Sequence, residues 1–283
     1  MLDEQEISER DFIRLSRFIW DYLGIKMPPD KKAMLKGRIK KRMRALDLAT
    51  YREYCDYLFS PEGMEDELVH LSSVVTTNKT DFFREPKSFD FLAGNVLPDF
   101  VLSKGIGVKR RLNIWSAGCS TGEEPYTMAM VLNQFTQKYP GINFNYVILA
   151  TDISSKVLET AQRAVYDLDR IEPIPMELRH QYLLRSKDPS QKQVRITAPI
   201  RAKIVFRRLN LMEEFNIDYK MDIIFCRNVI IYFDQPTREK LFERFCQQLH
   251  PEGYLFLGHS ENIIMANLPL TQAAPTIYQK IKS

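Results

Sequence analysis

Cysteine is scarce in this chain of 283 residues: Cys55, Cys119, Cys226 and Cys246 are scattered and form no CxxC pair. No metal or iron–sulfur ligand spacing results, and free thiols in a reducing, cytoplasmic setting are the expectation. No stretch approaches the ~20 apolar residues of a membrane span, so direct membrane insertion is not expected. The segment Met1–Arg10 is polar and acidic and does not read as a secretory signal. Eleven glycines and fifteen prolines without a period exclude collagen-like and low-complexity chains. Neither G-x-G-x-x-G nor a P-loop is present, which argues against a dinucleotide or nucleoside triphosphate.

A general basic coat is missing as well. Residues 26–44 hold nine Lys or Arg and one Asp, a local balance of +8 against +4 for the whole chain. The remainder is therefore acidic, and the positive charge is a local device for an acidic partner. No aromatic residues interleave this run in the manner of a nucleic-acid surface, so no nucleic-acid partner is expected.

What is present falls into two unlike parts. Residues 1–76 read as an all-helical domain. Phe12, Leu15, Ile19, Tyr22 and Leu23 mark one buried helical face. After Pro28-Pro29, Asp30 is placed to cap a helix over about 31–46. Its apolar stripe is Leu35, Ile39, Met43 and Leu46, with Lys32, Lys36, Lys40, Lys41 and Arg44 on the other side. Two further helices follow around Tyr51–Phe59 and Leu68–Val75.

From about residue 108, short apolar runs alternate with helical stretches: Leu112–Trp115, Glu123–Gln137, Tyr146–Ala150, 155–164, Ile204–Phe206, Met221–Phe225, Gln235–Leu249 and Tyr254–Leu257. Such alternation predicts an α/β, mostly parallel, Rossmann-like sheet that binds its ligand at the carboxyl ends of the strands. The stretch 165–202 is too long for a loop. Alternation at Gln193–Ile196 and the turn signal Asp188-Pro189-Ser190 predict a small antiparallel β-subdomain there.

The turn Trp115–Pro125 joins the first strand to a helix, and its glycines let the backbone approach a ligand closely. Glu123 and Glu124 at the helix start disfavour a phosphate. Asp152 ends the second strand, 34 residues beyond Gly118, where an acid can accept both ribose hydroxyls. A phosphate-free, positively charged nucleoside describes S-adenosylmethionine. The alternative is that Glu123 and Asp152 only cap helices.

Five strings in register resemble the chemotaxis receptor methyltransferases, the CheR family. They are Thr77–Glu85, Trp115–Tyr126, Ala150–Ile153, Phe225–Phe233 and Gly258–Asn262. The resemblance implies a class I methyltransferase domain at 93–283, a linker at 77–92 that contributes cofactor contacts, and transfer of methyl groups from S-adenosylmethionine to chemoreceptor glutamates, releasing S-adenosylhomocysteine. It implies cofactor contacts from Asn78, Thr80 and Arg84 in the linker, from Gly118, Glu124 and Asp152, and from Asn210, Leu211, Arg227 and Asn228. Tyr232 and Arg84 are placed at the catalytic end. Arg84 suits the cofactor's carboxylate, and Asn210 suits an adenine edge. Arg227 is suited either to pair with an acid or to steer the substrate.

His259 reads as structural, and Cys119 and Cys226 as small packing residues. Lys36, Lys40, Lys41 and Arg44 are the expected docking residues for the cytoplasmic helical domain of the receptors. Family members that bind a receptor's C-terminal pentapeptide carry a glycine turn in the subdomain. Leu183–Ile196 has none, so no such dependence is expected.

Overall fold

The computed structural model describes residues 6–188, 190–262 and 268–282. Four helices come first: α1 (Glu9–Leu23), α2 (Lys32–Ala45), α3 (Tyr51–Leu58) and α4 (Pro61–Val75). Ser8 caps α1 by accepting from the Asp11 N–H at 3.1 Å. Thr50 and Glu53 form a reciprocal capping box on α3. Phe12, Leu15, Ile19, Leu35, Ile39, Met43, Tyr54, Leu58, Leu71 and Val75 share one core, as the helical spacing predicts. Asp30 does not cap α2: it lies inside a short 3₁₀ turn, Pro29–Lys31, and the residue preceding α2 is Lys31.

The chain then runs without helix to α5 (Pro86–Phe91) and α6 (Leu97–Leu102). The remaining elements in order are β1 (Leu112–Ala117), α7 (Glu123–Gln137), β2 (Tyr146–Asp152), α8 (Ser155–Arg163), β3 (Val165–Asp167), α9 (Met176–Tyr182), β4 (Leu183–Arg185), β5 (Gln193–Ile196), α10 (Ala198–Arg201), β6 (Ile204–Arg208), β7 (Met221–Cys226), α11 (Gln235–Gln248), β8 (Leu249–Leu257), β9 (Leu270–Ala274) and β10 (Ile277–Lys280).

Seven strands make the main sheet in the order β6-β2-β1-β7-β8-β10-β9. The first five are mutually parallel; β10 runs antiparallel to both β8 and β9. This C-terminal hairpin carries no strand expectation above, because Leu270–Ala274 exposes three consecutive residues and lacks a clean apolar run. Both faces of the sheet are covered, and β7 is buried throughout. Chain order reverses between β1 and β7, which opens a crevice at their carboxyl ends.

The 165–202 stretch forms a three-stranded antiparallel sheet, β3-β5-β4, with two short helices. In the turn signal, Asp188 accepts from the Ser190 N–H at 2.9 Å, while Pro189 lies outside the described residues.

The helical domain is docked on the sheet. Gly24, at φ 70°, ends α1 so close to it that a Cβ there would lie 2.7 Å from Met212 Sδ and 2.9 Å from Phe233. Ser154 Oγ donates to Ser73 Oγ at 2.9 Å between α8 and α4.

Candidate active site

After β1 the chain turns at Gly118, φ 81°, where a Cβ would sit 2.4 Å from Val229 Cγ2. A side chain is excluded there, and the turn stays open to a ligand. Ser120, also at positive φ, donates its N–H to Asp152 Oδ2 at 2.9 Å and its hydroxyl to the Asn78 carbonyl at 2.9 Å. The turn thereby ties the linker to the tip of β2.

Asp152 also accepts from the Ser154 N–H at 3.0 Å, but it is not the cap of α8, whose N-cap residue is Ser154, and Glu123 does not cap α7, whose N-cap residue is Gly122. Asp152 borders the crevice. Burial pushes its carboxyl above the usual range, against the backbone N–H groups of Ser154, Ser120 and Ile153. Glu124 is raised by burial too, and Arg227 opposes the shift. Glu124 accepts from Ser116 Oγ at 2.7 Å. Its neighbour Glu123 faces away from the crevice, pairing with Arg170 at 2.5 Å and Thr121 at 2.6 Å.

Arg227 is an internal ion-pair residue. It meets Glu85 at 3.0 Å and Glu124 at 3.3 Å, and stacks over Phe89. Its Nε is buried without a partner among the described residues. Burial would raise Glu85, but Arg227, Asn228 and the His259 N–H hold its carboxyl below the ordinary value. Arg84 lines the crevice and donates to the Lys79 carbonyl at 3.0 Å. No carboxylate lies within ion-pair reach of it among the described residues.

Asn78, Thr80, Arg84, Gly118, Glu124, Asp152, Asn210, Leu211, Arg227 and Asn228 all line this one crevice, as does Tyr232. One expected role is corrected. Asn210 donates its amide to the Tyr22 carbonyl at 2.9 Å and to Glu213 at 3.2 Å, and accepts from the Met212 N–H at 3.0 Å. The amide that suits an adenine edge is therefore occupied in anchoring α1. Asn228 donates its amide to Glu85 at 3.3 Å.

The docking set is also revised. Lys36 forms an ion pair with Glu6, and Lys32 one with Glu9 at 2.8 Å. Arg42 makes a two-pronged bond to the buried Glu67, at 2.9 and 2.7 Å. Three of the nine cations of the run, Lys32, Lys36 and Arg42, are thus paired inside their own domain; Lys41 and Arg44 are exposed and Lys40 half-buried. What the sequence reading missed is the inner edge of α2. Lys31, Met34 and Arg38 line the crevice, and Arg38 clamps the carbonyls of Val75 and Thr76. Their spacing of three and four, beside the buried stripe, is the signal that could have shown it. His259 is exposed, and Cys119 and Cys226 are buried thiols raised by burial, consistent with packing.

A parallel sheet with a glycine turn after its first strand, an acid at the tip of its second and a mixed-charge crevice between is a nucleoside-binding arrangement, and it fits a class I, S-adenosylmethionine-dependent methyltransferase. The donor set suits that cofactor: carboxylates for a ribose diol and cationic centres, the Arg84 guanidinium, without an ion pair among the described residues, for a carboxylate, and the orphaned Arg227 Nε for a further acceptor.

Comparison with known proteins agrees. The CheR methyltransferase SAM-binding domain matches residues 78–278, and the CheR methyltransferase all-alpha domain matches residues 10–76. A chemotaxis protein methyltransferase of Borreliella burgdorferi is 37% identical over 97% of this chain and 95% of its own length. Those of Pseudomonas aeruginosa (number 2) and Escherichia coli are 35% and 33% identical, over 97% and 98% of this chain and 94% and 92% of theirs. The chain belongs to the CheR methyltransferase family.

Proposed function

We propose that the crevice grips S-adenosylmethionine and presents its methyl group to glutamate side chains on the cytoplasmic helical domain of chemoreceptors. The carrying observation is convergence: five separate segments, the linker, the β1 turn with the start of α7, the tip of β2, the end of β6 and the end of β7, supply the ten expected cofactor residues to one crevice. Arg84 takes the cofactor's carboxylate, Glu124 its ammonium and Asp152 the ribose. Leu211 and the Asn210 backbone face the adenine, since the Asn210 amide is engaged elsewhere. When bound, the cofactor supplies a cationic methyl donor, and its transfer to a carboxylate consumes both charges.

The acceptor glutamate, with an ordinary pKa of ~4.3, is already ionised at neutral pH. No side chain has to remove a proton from it. The work of the chain is alignment and exclusion of water. Leu23, Ile25, Met27 and Val75 wall one side of the crevice and Leu209 and Leu211 another, which lowers the local dielectric where charge is lost. Tyr232 and Arg84 border the same crevice, and the reading assigns them to its catalytic end.

The division into 1–76, a linker at 77–92 and 93–283 follows from this reading. Receptor approach is assigned to the outer edge of α2, with Lys40, Lys41 and Arg44. The β4–β5 turn, without glycine, supports methylation independent of a receptor pentapeptide. The test is tritiated methyl transfer to receptor-bearing membranes, with volatile methanol released by base. Label that stays on the receptor in base would exclude a glutamyl ester.

A further inference from the structure

Glu261 has no role in the site described so far, yet it is a carboxylate with only 3% of its surface exposed. Among the described residues it has no cationic partner. Instead it collects backbone N–H groups. Oε1 accepts from Ile230 at 2.8 Å and Ile231 at 3.3 Å, and Oε2 from Asn228 at 2.9 Å and Gly258 at 2.8 Å. These donors come from the ends of two adjacent parallel strands, β7 and β8. Three of the four lie in the segment 228–231, which separates Asn228 from Tyr232, both crevice residues.

Asn228 is held at φ 60°, a left-handed conformation that asparagine tolerates better than most residues. Successive N–H groups converging on one anion fix the segment in that turn. Gly258 shows how tight the node is: a Cβ there would lie 2.9 Å from Glu261 Oε2 and 2.7 Å from Asn228 Nδ2.

We propose that Glu261 is a positioning residue, whose carboxylate sets the Asn228–Tyr232 segment for methyl transfer without touching cofactor or acceptor. The proposal rests on the crevice being the cofactor site. The chemistry asks for an acceptor-only group. A Gln has an amide N–H where Glu has a lone pair, so whichever way it turns it faces at least one backbone N–H with a donor.

The test compares Glu261→Gln with the wild type in four measurements: S-adenosylhomocysteine affinity and stoichiometry by calorimetry, kcat per binding site, KM for receptor membranes, and amide exchange along the chain. The expected result is a fall in kcat per binding site of about 10- to 100-fold, as for a catalytic group displaced by an ångström or less. Ligand affinity, to which Asn228 alone of this segment is assigned, should fall by less than the rate does, receptor KM should stay within about threefold, and amide exchange should rise in 228–231 while β1, β2 and β7 stay protected. Where Glu261→Gln does not fold, Gly258→Ala crowds the same node from the other side and is expected to give the same split.

A kcat per site within about twofold of the wild type would overturn the positioning role. So would a loss of rate matched by an equal loss of binding stoichiometry, which reports only fewer folded molecules. A wild-type protein that binds no S-adenosylhomocysteine overturns the cofactor site itself, and needs no variant to show it.

Discussion

Asn210 donates its side-chain amide to the backbone carbonyl of Tyr22, 2.9 Å away. The segment that follows β6 is thereby bonded to the last turn of α1. Removing the amide with Asn210→Ala leaves the Tyr22 carbonyl and the Met212 N–H without these partners. A loss of about 1–3 kcal/mol is expected. Thermal unfolding should fall by several degrees, and calorimetry should show weaker S-adenosylhomocysteine binding. Unchanged unfolding and binding would deny the link.

Arg84 is a crevice cation with no ion-pair partner among the described residues, and Asp152 is the acid at the tip of β2. Arg84→Ala is expected to cost a charge-assisted pair, about 10- to 100-fold in cofactor affinity. Asp152→Ala should weaken binding comparably and, because the Ser120 and Ser154 N–H groups lose their acceptor, also lower stability. Near-normal affinity in either variant, measured by calorimetry, would contradict the assigned contacts.

The pH dependence has a defined sign. Burial raises Asp152 and Glu124, so as pH falls they lose charge earlier than exposed carboxylates with pKa values of ~3.9 and ~4.3. S-adenosylmethionine is a net cation and needs them ionised; S-adenosylhomocysteine lacks the sulfonium. Affinity for the first should drop more steeply than for the second as pH falls from neutrality, beginning above the ordinary carboxylate range. In the ligand-free protein the same two groups act oppositely: a raised folded pKa means stability lost, not gained, as pH rises through it. Glu85, held low by Arg227, contributes stability that disappears on acidification. Parallel pH profiles for the two ligands would show that Asp152 and Glu124 do not sense the sulfonium charge.

Reversing Lys40, Lys41 and Arg44 to Glu should slow receptor methylation by an order of magnitude or so at low salt, with the difference shrinking as salt rises. Cofactor affinity should hold, since none of the three lines the crevice. Lys36→Glu tests a different thing: it breaks the pair with Glu6 and should act on stability. Normal methylation by the triple variant would remove the docking role.

Much of this was legible in the sequence because it rests on local rules. Strand–helix alternation and helical periodicity are short-range signals, and the glycine turn and the β2 acid are tied to strand ends. Eight of the ten crevice positions came in strings in register with a family pattern; Asn210 and Leu211 were placed only by following β6. What stayed hidden depends on distant partners. Nothing near Asn210 announces that Tyr22 will take its amide, nor near Lys36 that Glu6 will neutralise it. Glu261 looks like an ordinary acid until four N–H groups from two strands close around it.

Lys31, Met34 and Arg38 give the front helices a share in the crevice wall, and Arg38 holds the very carbonyls from which the linker departs. A hybrid enzyme made by swapping only the first 76 residues with a relative's would exchange more than its taste in receptors. It would also inherit a foreign wall on one side of the crevice, so a change in that domain reaches the chamber as well as the surface.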